Sequence, residues 1–249
     1  MNETLKTIHA LRTIHGNFSP REIAAEDLKL IIKAGVRAAN ASARQSYSII
    51  VVQERAMMKK LCGFEGNKAL LFCVDYTRHL DMSAHLGHSF DAQGIVPFVT
   101  ASTDTISAAQ TAAIAAKSLG IDSLFTNGIH RGDMSRVYEL LNLPQKTCFP
   151  LIMLVLGYAA QEPDSQKGRL SGPGVVHYGQ YHRPTAEELD ELVQQYDDPE
   201  THLALNYGWS EKGMAHYLDW FYGVWSSRGG KKAGKSQMFE ILGQVGFLE

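Results

Sequence analysis

The chain has 249 residues, 24 of them basic and 26 acidic, for a net charge of −2. That near balance excludes a nucleic-acid or anionic-membrane partner held by bulk charge, and the length suffices for one large domain or two small ones. The start of the chain has no apolar core of signal-peptide length, no run approaches a membrane span, and Cys62, Cys73 and Cys148 sit in or beside apolar runs without metal spacing; the expectation is a cytoplasmic protein with buried free thiols.

Residues 3–11 have helical spacing, with Leu5, Ile8 and Leu11 on one face. The segment RTIHGNFSP follows and packs Arg12, Thr13 and His15 beside a Gly-Asn turn. An arginine, a hydroxyl and an imidazole at that spacing can hold a phosphate; equally they can form a solvated helix end. Residues 26–39 read as a helix with Leu28, Ile31, Ile32 and Gly35 or Val36 inward, 40–44 as a small polar loop, 47–52 as a β-branched strand, 57–62 as a short helix, and 68–75, KALLFCVD, as a buried strand. Residues 77–100 are the least legible. They carry His79, His85 and His88, with Asp75, Asp81 and Asp91 in or near them. His85 and His88 would share a metal only on a helical face, and Gly87 and the missing third ligand argue against one. A mobile polar segment beside a pocket is the favoured reading.

The stretch 102–131 organises the rest. Ser102 or Thr103 is placed to cap a helix, Asp104 to complement its positive end, Lys117 its negative end, and Gly120 to stop it. Between Asp104 and Lys117 there is no charge, and Ala108, Ala109, Ala112, Ala113, Ala115 and Ala116 ring the circumference. The helix is therefore expected to be buried nearly all round and slender enough for a neighbouring backbone or a flat ligand to come close. An ordinary central helix of an α/β core would read the same way. IDSLF is a short strand and Asn127-Gly128 a turn. Residues 133–141 form an amphipathic helix, with Met134, Val137, Tyr138 and Leu141 inward, and 149–158 the strongest buried strand. Lys167-Gly168-Arg169 sets two cations around a glycine, for a phosphate or simply for solvent. Alternating strands and helices argue for a sheet covered by helices, α+β or α/β.

From Pro184 the composition shifts. Residues 185–196 are an amphipathic helix, and 202–225 hold seven aromatics, with Met214, Tyr217, Leu218, Phe221 and Trp225 at helical spacing. They want burial against the body or a second subunit, or else form a ligand lid. Residues 226–236 are a basic linker that matches a phosphate loop only in part, and 238–248 a last amphipathic piece.

Three separated pieces, RTIHGNF, ANASARQSY and the late GY…KGR cluster, together resemble the FMN-dependent nitroreductase family over roughly residues 8–170. Members usually carry Arg-Ser-x-Arg near the start, then Ser-x-x-Asn-x-Gln-Pro-Trp, a small-residue helix ending in Leu-Gly-Leu, and Lys-x-Arg near the end. The resemblance implies that Arg12, Thr13 and His15 form the phosphate segment, that Arg44 and Gln45 belong to the second segment, that Asn127 and Gly128 lie at the reactive edge of the flavin, and that Lys167 and Arg169 are the late phosphate-side cations. Two departures stand out. Ala43 occupies the asparagine position, with Asn40 nearby as a substitute, and Ser46-Tyr47 replaces Pro-Trp.

The expected fold is α+β, a nitroreductase-like mixed sheet with helices on both faces in residues 1–183 and a C-terminal helical extension in residues 184–249. The resemblance further implies a homodimer along the central helix, FMN as cofactor, NADH or NADPH as donor, and a nitroaromatic, a quinone or a related small molecule as acceptor. A flavin-binding or structural dimer with little turnover, or a reductase dedicated to one metabolite, are the alternatives.

Overall fold

The computed structural model describes residues 1–226 and 237–248. The partial phosphate-loop match in 226–236 lies almost wholly outside the described residues. The chain forms two compact units, one from Met1–Glu162 with the C-terminal helix, the other starting at Pro163.

In the first unit, α1 (Glu3–His9) and α2 (Ala25–Gly35) precede β1 (Tyr47–Val52), α3 (Arg55–Cys62), β2 (Lys68–Asp75), α4 (Thr77–His85), α5 (Ile95–Ser118), β3 (Asp122–Thr126), α6 (Ser135–Leu141) and β4 (Cys148–Gly157). The four strands run in the order β1-β2-β4-β3, and every neighbouring pair is antiparallel. This corrects the expected mixed sheet. The connecting segments return the chain antiparallel instead of carrying it through a parallel crossover. Among the described residues the parallel pairing is the isolated bridge Thr13–Ser123.

Strand alternation sorts the core into two layers. Leu70, Phe72, Leu154 and Leu156 face the alanines of α5 and Ile31 of α2. Ala69, Leu71, Cys73, Met153 and Val155 face Met58 and Leu61 of α3 and Val137 and Tyr138 of α6. Each fully buried Leu or Phe contributes about 2 kcal/mol, so β2 and β4, covered on both faces, anchor the unit. The helices thus lie on both faces, as expected for α+β. The last helix, α9 (Gln237–Gln244, numbered after the two helices of the second unit), leads into Val245 and Phe247 in the same core.

Helix α5 departs from expectation at its start and on one side. It begins at Ile95, not near Ser102, so Asp104 lies deep inside it. Its inner face is slender: a methyl on Gly35 of α2 would sit 3.2 Å from the Ala108 carbonyl oxygen. Its outer face is not buried in the single chain, where Val96, Val99 and Ile106 are 71%, 56% and 53% exposed.

The second unit holds α7 (Ala186–Asp197), started by a Thr185–Glu188 capping box, and the short α8 (Tyr217–Trp220), which continues as a π-helical turn, Phe221–Trp225. Its aromatics pack chiefly on one another: Tyr217 and Trp220 are buried among Tyr196, Tyr207, Trp209 and Phe221.

Candidate functional site

The N-terminal segment is extended and lies along β3. The Ile14 N–H donates to the Ser123 carbonyl at 3.1 Å. Ile14 is buried, while Thr13 and His15 are exposed, as alternation requires. The His15 ring packs on Phe64, with centroids 5.1 Å apart. Arg12 is committed elsewhere. Its Nε and Nη2 donate to the two carboxylate oxygens of Asp122 at 2.9 and 2.7 Å, and Nη1 and Nη2 to Glu162 at 2.5 and 3.1 Å. Lys117 Nζ adds a third bond to Asp122 at 2.8 Å. The Asp122 bonds, then those of Glu162, raise the Arg12 pKa. Burial, the largest single influence on Asp122, pushes its carboxyl up; Arg12 and Lys117 together outweigh it and hold the group below the usual range.

The second segment is a strained turn before β1. Ser42, Ala43 and Gln45 have φ of 53°, 54° and 53°, a region unfavourable for residues with a Cβ. Asn40 Oδ1 accepts from the Gln45 N–H at 3.1 Å and Asp104 Oδ1 from the Ala41 N–H at 2.8 Å. Asn40 therefore braces the turn through the Gln45 N–H. From α4, Arg78 Nη2 donates to the Arg44 and Gln45 carbonyls at 3.2 and 2.6 Å, and His79 Nε2 donates to the Arg44 carbonyl at 2.9 Å. Burial, then the charge of Arg78, lowers the His79 pKa. Beside the turn a cavity of about 490 Å³ is lined by Val36, Gln45, Tyr47, Ser48 and Arg78, among others.

The third segment follows β3. Asn127 is exposed and Gly128 buried. The Gly128 N–H donates to Thr126 Oγ1 at 2.9 Å, and a methyl on Gly128 would fall 2.1 Å from the Cys62 carbonyl oxygen. The glycine is thus required by the close approach of α3. His130 Nε2 donates to the Pro150 carbonyl at 2.8 Å, and burial lowers its pKa.

The register relates these pieces. The turn enters β1 opposite the end of β2, and Asn127 leaves β3 at the end that pairs with Met153, whereas Arg12 is bound to Asp122, which pairs with Gly157. The first unit therefore brings the turn and α4 into direct contact and sets the first and third segments on opposite ends of β3. Lys167 and Arg169 belong to the second unit. There Lys167 Nζ donates to the Ala204 carbonyl at 2.5 Å, and Arg169 Nη1 to the Lys167 and Gly168 carbonyls at 3.2 and 2.7 Å.

A model described as the nitroreductase family matches residues 10–158. The chain belongs to the nitroreductase family. Relatives similar to it include the NADPH-flavin oxidoreductase of Vibrio harveyi, 32% identical over 79% of this chain and 83% of that protein. The oxygen-insensitive NADPH nitroreductase of Salmonella typhimurium is also 32% identical, over 80% of this chain and 81% of its own. Among solved structures, B. megaterium NfrA2 superposes with a TM-score of 0.81 at 27% identity, covering 100% of this chain and 99% of that one.

Residues that sequence reasoning missed are Asp104, Arg78 and Asp122. Asp104 read as a helix-start residue, yet a carboxylate among alanines on an inward face has to find a donor, and that was its signal. The histidine segment proves to be α4, ending at His85, with Gly87 at φ 74° turning the chain away. His85 and His88 share no helical face, and no group of three or more metal-ligating side chains occurs among the described residues. Among the described residues no helix is long and apolar enough to cross a membrane.

Proposed function

We propose that this nitroreductase-family chain is an FMN-dependent oxidoreductase that takes reducing equivalents from NADH or NADPH and delivers them to a nitroaromatic, a quinone or a related small acceptor. The observation that carries this reading is kinship: the relatives that align with about four fifths of the chain are an NADPH-flavin oxidoreductase and an NADPH nitroreductase. The protein's own residues fit a flavin nucleotide. Arg44 Nε in the strained turn and Ser46 Oγ just after it are buried without a hydrogen-bond partner, and their neighbours Gln45 and Tyr47 line the adjacent cavity, so polar capacity is left there for a ligand.

When bound, FMN would supply the redox chemistry between the nicotinamide donor and the acceptor; the protein's residues would bind, orient and tune it. Lys167 and Arg169, in the second unit, are assigned as phosphate-side cations from the family resemblance alone; Thr13 and His15 project together from the extended N-terminal segment as phosphate contacts. Arg12 joins them only where the exposed Glu162 gives way to the phosphate, because its guanidinium already serves two carboxylates. Arg44 and Gln45 hydrogen-bond the cofactor. At the reactive edge the contact falls to the exposed Asn127, since the Gly128 N–H is taken by Thr126.

The exposed apolar stripe of α5 supports a homodimer packed along that helix. The flavin-binding part is drawn from residues 1–183 and the aromatic-rich extension from 184–249, of which Gln237–Gln244 with Val245 and Phe247 pack back into the first unit's core. Three buried free thiols suit a cytoplasmic location. Steady-state oxidation of NADPH or NADH with a nitroaromatic and with a quinone tests the reading. Turnover dependent on added acceptor and on FMN is expected; flavin binding without turnover would favour the structural-dimer alternative.

A further inference from the structure

Three residues of the turn before β1, Ser42, Ala43 and Gln45, hold positive φ without being glycine. Left to itself such a segment would spend most of its time elsewhere, because each Cβ meets the following carbonyl in that region. Two anchors act on its N–H groups, from Asp104 and Asn40. Its two carbonyls at Arg44 and Gln45 are gripped from α4 by Arg78 and His79. Helix α4 is itself fixed. Asp75 accepts from the Thr77 N–H at 2.9 Å and from Ser48 Oγ, the Tyr76 N–H donates to the Thr147 carbonyl at 3.0 Å, and the Tyr76 hydroxyl to the Pro97 carbonyl at 3.0 Å. A rigid helix thus presents two donors to the two carbonyls that must face it for the turn to keep its shape.

We propose that Arg78 and His79 are positioning residues for the cofactor: from α4 they lock the 42–45 turn in its left-handed form and thereby set where Arg44 and Gln45 stand. The inference rests on the assignment of Arg44 and Gln45 as cofactor contacts. Its consequence is quantitative. The apparent dissociation constant for FMN rises in inverse proportion to the fraction of protein with the turn locked. Loss of the Arg78 guanidinium lowers that fraction. Ala43→Gly raises it, because glycine takes positive φ freely. The two substitutions are therefore non-additive: Ala43→Gly gains more in the Arg78→Ala background than in wild type, whereas a direct ligand contact by Arg78 would leave that gain the same in both.

The test is an FMN titration of apo-protein, followed by quenching of flavin fluorescence, for wild type, Arg78→Ala, Ala43→Gly, the double variant and Gln45→Ala, alongside the visible circular dichroism of the bound flavin. Arg78→Ala should weaken binding about tenfold, and the added Ala43→Gly should restore most of that loss together with the wild-type dichroism. Arg78 is exposed, so the variant is expected to fold; His79→Ala gives the same pattern and stands in for it if needed. Wild-type binding by Arg78→Ala while Gln45→Ala weakens it would overturn the positioning role alone. A loss in Arg78→Ala that Ala43→Gly leaves unrepaired would also overturn it. Unchanged binding in Gln45→Ala would overturn the contact assignment beneath it.

Discussion

Arg12 grips Asp122 with two parallel hydrogen bonds, Nε to Oδ1 at 2.9 Å and Nη2 to Oδ2 at 2.7 Å, and so ties the N-terminal segment to the start of β3. Asp122 is 4% exposed and Glu162, the other partner of Arg12, 78%. The inner carboxylate is structural and the outer one replaceable. Asp122→Ala leaves Arg12 and Lys117 without their shared counter-charge and is expected to cost about 3 kcal/mol. Glu162→Ala should leave the urea midpoint nearly unchanged and tighten FMN binding, because it frees the guanidinium for phosphate. Equal destabilisation by both variants would contradict this division of roles.

Stability should fall on mild acidification. Burial lowers the pKa of His130 below its ordinary 6.5 and does the same to His79. A histidine depressed in the folded state binds fewer protons there than in the unfolded chain. Its contribution is complete above the unfolded pKa and is lost as pH falls through the folded one. The pairing of His216 with Asp197 raises its pKa and acts in the opposite sense. The difference between wild type and His130→Gln, which cannot titrate, isolates one group: wild type should lose more stability between about pH 7 and about pH 5. Parallel curves would show that His130 titrates alike in both states.

Gly128→Ala should destabilise by about 1–3 kcal/mol or more, since its methyl would meet the backbone oxygen of Cys62 at 2.1 Å. It should also lower flavin retention by displacing Asn127. Gly172→Ala, where a methyl meets nothing within 4 Å, is the matched control and should melt with wild type. A Gly128→Ala protein as stable as that control would mean that the 127–130 loop does not rest on α3.

Ile106 stands exposed on the outer face of α5, in line with Val96 and Val99. Ile106→Glu places a charge in the proposed dimer interface and should shift light-scattering mass toward the monomer without changing the far-ultraviolet spectrum. A wild-type protein that is already monomeric would remove this helix from the assembly.

The strands were legible because their signal is local. YSIIVV and KALLFCVD are runs whose residue types fit a buried pleat, and β1 and β2 have the expected bounds. The start of α5 was not. Thr and Ser look like helix caps, but the hydroxyls of Thr100, Thr103 and Thr105 bond back to the carbonyls of Val96, Val99 and Ala101 within the helix. Pro97 fits the first turn, where its missing N–H has no helical partner to lose. The helix start is fixed by the Gly94 N–H bonding to the Gly246 carbonyl, a contact that no local pattern encodes. The site followed the same rule. Gln45 and Asn127 are motif assignments. The residues that brace the turn before β1 and the N-terminal segment, Asp104 with Arg78 and Asp122 respectively, act over long sequence separations and carry no motif.

The anaerobic visible spectrum of the protein reconstituted with FMN, before and after one equivalent of NADPH, bears most directly on the central claim. A protein-bound flavin band that bleaches on NADPH addition and returns when a quinone is added is expected. Protein that takes up no FMN, or bound flavin that stays oxidised with both NADPH and NADH, would contradict it.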